Sequence, residues 1–183
     1  GKSIAEGTLL VRDGKVAGVQ SGNTVPTGYT EVDVHGAWVF PALIDIWTDY
    51  GQKAPEPDSR RGIQYNRSTP GPYHWNEAVK PEYETASTFS PDAEKAKKMR
   101  AQGFATVQSL PMDGIFRGTG AWVDLSGNAQ SSLLKAQSGS GLSFQKGMSK
   151  QEYPESLMGI IALIRQTFID VNGYIRSPKN YVG

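Results

Sequence analysis

The 183 residues carry 19 Lys and Arg against 18 Asp and Glu, a net charge of +1, with 38% hydrophobic and 20% charged side chains; this is an ordinary globular composition, enough for one domain or for one and part of another. There is no basic field of the kind nucleic acid requires, so nucleic acid is not an expected partner, and the absence of cysteine excludes a disulfide framework and thiolate chemistry. No apolar run reaches the roughly 18 to 20 residues that cross a bilayer and Gly1 to Glu6 lack the apolar core of a signal peptide, facts that assign no compartment.

In chain order, Thr8-Leu9-Leu10-Val11 and Val16-Ala17-Gly18-Val19 are short apolar runs joined through Asp13-Gly14, which predicts a β-hairpin. A turn-rich stretch from Gln20 to Gly28 leads to two further expected strands, Thr30 to Val34 and Ala37 to Phe40, separated by His35-Gly36. Periodicity alone reads these as the edge of a small β-sandwich or barrel, with His35 a turn residue and not a metal ligand. Residues 52–88, with Pro55, Pro57, Pro70, Pro72, Pro81, Arg60, Arg61 and Arg67, predict a long loop. Within it Tyr73-His74-Trp75-Asn76-Glu77 mixes a histidine, aromatics and an acid. The segment could face a substrate; the plainer reading has Tyr73 and Trp75 anchoring the loop and His74 exposed.

Ser90 as cap, Pro91 in the first turn, Asp92 and Glu94 near the start and Gly103 at the end predict a helix over 91–102, with Ala93, Ala96 and Met99 on its buried stripe. Phe104 to Pro111 reads as a strand. Gly114, Gly118 and Gly120 fit neither a Walker loop nor a dinucleotide fingerprint and are read as turn glycines. Ser131 to Lys135 could finish a strand or start a turn, and Gln137 to Lys150 reads as a Gly- and Ser-rich loop. Leu157, Ile160, Ile161, Ile164, Phe168 and Val171 recur at helical spacing, so a helix runs from about Pro154 to Asn172 with Gly173 as its cap.

The succession of Gly7 to Val16, a loop, and Val32 to Pro41 resembles the small β-domain that precedes the barrel in imidazolonepropionase-like and dihydroorotase-like amidohydrolases. Phe40-Pro41-Ala42-Leu43-Ile44-Asp45-Ile46-Trp47-Thr48-Asp49 resembles the first barrel strand of that superfamily, which usually reads F-P-G-x-I-D-x-H-x-H and holds a metal with its two histidines. Here Trp47 and Asp49 stand in their places. An indole nitrogen has no lone pair free for coordination, so Trp47 is excluded as a ligand and Asp49 is the one candidate metal residue of the chain. Ala101 to Val107 is similar to the family's A-x-G-V-T-T-V, and Met112 to Gly127 to its following glycine-rich segment, with Asp124 where a metal-bridging lysine can stand. Residues 153–172 fit another barrel-layer helix.

The resemblance implies an α/β fold with an N-terminal β part. Residues 1–40 would be a partial composite β-domain, a piece of a small β-sandwich, and residues 41–183 the first βα units of an incomplete TIM-like barrel of metal-dependent-hydrolase type. A complete barrel takes about 200 to 250 residues, so the chain is expected to be an N-terminal piece of a larger protein. Two functions follow. The parent is a hydrolase acting on non-peptide C–N bonds, amide or cyclic amide, with zinc or another divalent metal held outside this segment. Alternatively the scaffold is degenerate and serves binding or assembly. Two histidines and no cysteine furnish no nucleophile–base pair, so no catalytic residue and no cofactor is expected in this chain itself. Its expected partners are the remainder of the parent and, through unpaired strand edges, a second copy.

Overall fold

The computed structural model describes residues 3–56, 64–65, 70–127 and 132–178; Pro57, Arg60, Arg61, Arg67 and Ser131 lie outside them. The chain divides into two compact units, Gly1–Phe40 and Pro41–Gly183.

In the first unit β1 (Gly7–Arg12) and β2 (Lys15–Ser21) form the expected antiparallel hairpin, with Arg12 opposite Lys15. Asp13 and Gly14 both have positive φ, 52° and 70°, which is the twist a two-residue hairpin turn needs to match its strands. The strands expected at 30–34 and 37–40 are not formed. Their turn is present: His35 and Gly36 also take positive φ, the Ala37 amide donates to the Val34 carbonyl at 3.0 Å, and the His35 amide donates to the Asp33 carboxylate at 2.7 Å. No ladder extends from that turn. Its flanks lack a neighbouring strand among the described residues, and Val32, Trp38, Val39 and Phe40 remain exposed.

The second unit is built on a four-stranded mixed sheet, ordered β3-β4-β5-β6. β3 (Leu43–Thr48) runs parallel to β4 (Phe104–Ser109), while β5 (Phe116–Asp124) and β6 (Leu133–Leu142) are each antiparallel to their neighbours. A parallel pair needs a crossover, and it contains two helices, α1 (Thr85–Thr88) and α2 (Ala93–Ala101). α2 starts two residues later than the sequence suggests. Asp92, not Ser90, is the cap, its carboxylate accepting the Lys95 amide at 2.9 Å, whereas the Ser90 amide is used on the Gly51 carbonyl. Ala96 and Met99 face one core cluster, in which Tyr50, Val107, Ala121, Val123 and Leu125 are fully buried.

A second cluster joins Ala78, Val79 and Ile115 to Ile160 and Leu163 of α3 (Leu157–Arg176). Ser156 caps that helix by accepting the Gly159 amide. Gly173, expected to end the helix, stays inside it, because its carbonyl still receives the Ser177 amide at 3.0 Å. Residues 76–88 are also more ordered than a long loop. Asn76 donates through its side chain to the Tyr153 carbonyl and accepts the Ala78 amide, and Val79 and Glu84 bridge to Phe116 and Thr119 of β5. Buried Asn76, Ala78 and Val79, not the half-exposed Tyr73 and Trp75, anchor this segment.

The largest departure from the sequence reading is that the glycine-rich residues 116–124 and 133–142 are strands. Glycine usually weakens a strand unless another backbone or side chain comes close. Gly118 has a φ of 74°, and a Cβ there would overlap the Tyr83 carbonyl; at Gly120 it would press on Leu110. Gly14 has a similar φ with nothing within 4 Å of its Cβ position. The pair separates crowding from backbone strain. Gly14→Ala is expected to cost about 1–2 kcal/mol, the left-handed penalty alone, and Gly118→Ala at least about 3 kcal/mol, read from chemical denaturation; equal losses would refute the close-approach account of β5.

Candidate functional site

In an unbroken strand, residues 47 and 49 would share a face. Here the β3–β4 register shifts between Asp45 and Thr48. Inside that irregularity the Asp45 carboxylate accepts the Trp47 amide at 3.0 Å, and the ladder closes where the Thr48 carbonyl accepts the Leu110 amide at 2.9 Å. The chain then turns inward at Tyr50. Its ring is fully buried against Phe89, its hydroxyl donates to the Asp92 carbonyl at 3.3 Å, and its own carbonyl accepts the Ser109 hydroxyl at 2.7 Å.

Trp47 and Asp49 consequently meet different elements. Asp49 pairs with Lys95 of α2 at 2.6 Å, both side chains being substantially exposed, so the pair contributes no more than about 1 kcal/mol. The half-exposed indole of Trp47 covers the guanidinium of Arg117, whose Cζ lies 5.4 Å from the ring centroid. Arg117 is brought there by topology. Ala121 of β5 lies opposite Ser109 near the end of β4, so the first residues of β5 reach past the ends of the parallel pair.

Arg117 is only 4% exposed. It donates through Nε to the Gly114 carbonyl at 3.0 Å, through one Nη to the Ser143 hydroxyl and through the other to the Met112 sulfur, each at 3.1 Å. Among the described residues no carboxylate forms an ion pair with it; nearby Asp113 is paired with Lys80 and accepts the Met148 amide. Burial lowers the affinity of Arg117 for its proton, opposed by the Asp113 charge, and a guanidinium stays charged in proteins.

The other candidates lie elsewhere. Asp124 pairs in register with Thr106, toward the start of β4, and its carboxylate accepts the Ser126 amide at 2.8 Å, a turn contact at the far end of the sheet from Trp47. His35 sits in its turn beside Asp33 at 3.1 Å. His74 is half-buried, not exposed, and its Nδ1 accepts the Asn76 amide at 3.0 Å. No group of three or more His, Cys, Asp or Glu side chains among the described residues could hold a metal ion. Of the two residues at the end of β3, the indole of Trp47 has no lone pair to offer a metal, and the Asp49 carboxylate is paired with Lys95. Lys95 and Arg117 escaped the sequence reading. A lysine on a charged helix and a lone arginine among glycines carry no local signal of what they will touch.

Burial raises the phenol of Tyr50 above its ordinary value; the hydrogen bond to the Asp92 backbone opposes the shift and the Asp92 charge adds to it. A raised phenol stabilises the fold fully below the unfolded value near 10, and this is lost as pH climbs through the folded value. Tyr50→Phe is thus expected to cost about 1 kcal/mol at neutral pH, for the lost hydrogen bond, and to flatten the decline in stability above pH 10. Denaturation curves across that range check it, and an unchanged alkaline slope would contradict it.

Neither family models nor curated proteins give a match to this chain. Among solved structures, the crystal structure of an amidohydrolase from Thermotoga maritima is similar to it, with a TM-score of 0.64, 22% sequence identity and 93% of this chain covered. The chain spans 44% of that protein's length. At this identity the likeness is one of fold: the chain has a mixed α/β, amidohydrolase-like scaffold.

Proposed function

We propose that this chain is a portion of an amidohydrolase-like protein, holding part of a composite β-domain and the first βα units of a TIM-like barrel, and that the parent hydrolyses non-peptide C–N bonds, amide or cyclic amide. The observation that carries this reading is the similarity over 93% of the chain to a solved amidohydrolase, together with a parallel β3–β4 pair spanned by a helical crossover. In the proposal this segment supplies scaffold. Zinc or another divalent metal, if the parent uses one, is held by residues other than Trp47, and Asp49 reaches it only by giving up Lys95.

A second reading is favoured by a specific observation. Both side chains at the histidine positions are already engaged, by Arg117 and Lys95, as in a scaffold that has lost its chemistry and serves binding or assembly. Elemental analysis of the full-length protein, purified without chelators, separates the two. One or two equivalents of metal per chain support the hydrolase, and no stoichiometric metal supports the binding module. Trp47→His combined with Asp49→His is expected not to restore zinc uptake, since the strand irregularity and Arg117 remain; uptake of one equivalent would overturn this account of the site.

Among the described residues β3 stands at the end of the sheet, with Leu43, Ile44 and Ile46 exposed, an edge of the kind that recruits another strand. Pairing of that edge with the remainder of the parent, or with a second copy, is part of the proposal. For the 183-residue chain alone, sedimentation is expected to show a concentration-dependent dimer, and a monomer at all concentrations would count against edge pairing between copies.

A further inference from the structure

Arg117 presents an imbalance that the scaffold role does not explain. A buried guanidinium normally finds a carboxylate, because leaving a charge buried without a counter-charge is strongly unfavourable. Among the described residues Arg117 has none, and one of its three hydrogen-bonding contacts is a thioether, a weak acceptor. Its fork is shaped for a planar oxyanion bound through two parallel hydrogen bonds. The nearest anion, Asp113, is taken by Lys80, so the uncompensated charge is that of Arg117.

One partner of the weak contact borders a cavity, while Arg117 lies behind it. Met112, whose sulfur receives the Arg117 Nη, also lines an open groove of about 710 Å³ with Phe144, Met148, Ile160 and Lys146. Its walls mix these apolar side chains with the polar Asp113, Gln145, Lys146 and Glu155. Lys146 donates to the Gln151 carbonyl at 2.8 Å and, as an ammonium with three donors, has hydrogens to spare. Two carboxylates oppose it along the groove, Asp113, which is paired with Lys80, and the exposed Glu155. A trough that combines apolar side chains with a few convergent polar groups is a usual form of a small-molecule site.

The geometry points to a metal-independent site for a carboxylate on an apolar body: the body lies in the groove, the carboxylate displaces the Met112 sulfur and takes the Arg117 fork, and Trp47 shields the outer face of the guanidinium. This deepens the binding-module reading and rests on it. It also gives the disagreement with a metal site a positive content, since a fixed cation attracts an anionic ligand without activating water.

The test is calorimetric titration of the full-length protein with 3-phenylpropionate and with its neutral amide, for wild type, Arg117→Met and Met112→Ala, with folding checked by circular dichroism. Wild type is expected to bind the carboxylate at least tenfold more tightly than the amide. Arg117→Met should erase that preference, and Met112→Ala, which removes the competing acceptor, should increase carboxylate affinity. Equal affinities for the two probes, or a preference that survives Arg117→Met, overturns the proposal. If Arg117→Met does not fold, Met112→Ala decides, and an unchanged or weaker carboxylate affinity overturns it. Metal analysis of the same preparation keeps the two failures apart: metal-free protein without anion preference sinks this site and leaves the binding-module reading standing, whereas stoichiometric metal sinks that reading by itself.

Discussion

The closure of β3 against β4 is the constraint on which the second unit depends. The Thr48 carbonyl takes the Leu110 amide, the Tyr50 carbonyl takes the Ser109 hydroxyl, and between them Tyr50 is driven fully into the core. Burial of a side chain of this size contributes on the order of 2 kcal/mol. It also fixes direction: once Tyr50 points inward under α2, the residues before it must leave the sheet in a set order. Trp47 reaches Arg117 and Asp49 reaches Lys95 as consequences. Gly51, at a φ of 73°, completes the bend where Phe89 lies too close for any side chain.

What the sequence made legible was local. Asp13-Gly14 announces its hairpin because the turn dihedrals are a property of two residues. α2 and α3 are readable because apolar spacing and capping act within a few turns, although the cap of α2 is Asp92, whose carboxylate accepts the Lys95 amide, and not Ser90, whose amide reaches the distant Gly51 carbonyl. β5 and β6 were hidden because their glycines answer to partners far along the chain. Tyr83 and Leu110 occupy the space a side chain would fill, and nothing near Gly118 or Gly120 in sequence says so. Residues 30–40 erred in the opposite direction: the alternation and the turn are there, but a strand exists only beside another strand.

The site divides along the same line. Trp47 and Asp49 could be picked out from a familiar strand pattern, together with the inference that Trp47 binds no metal. Their partners could not, for an ion pair and a ring–guanidinium contact are made by tertiary placement. Arg117 is the clearest case. It is buried without an ion-pair partner among the described residues, a quantity with no signature in composition or spacing. Asp124, chosen by alignment of a glycine-rich stretch, was displaced to the opposite end of the sheet once that stretch proved to be an antiparallel strand.

β3 unites two properties that proteins usually keep on separate surfaces. It is the terminal strand of its sheet and it carries Trp47. A strand joining its open side would set its own side chains next to those of β3 as cross-strand neighbours. The local dielectric, the width of the approach to the indole and the charge facing Asp49 would then be contributed by the incoming polypeptide. Under the edge pairing and the anion site proposed above, completion of the sheet and ligand selectivity would be one variable on this strand, and a change of neighbour would retune the site with no substitution in the chain itself.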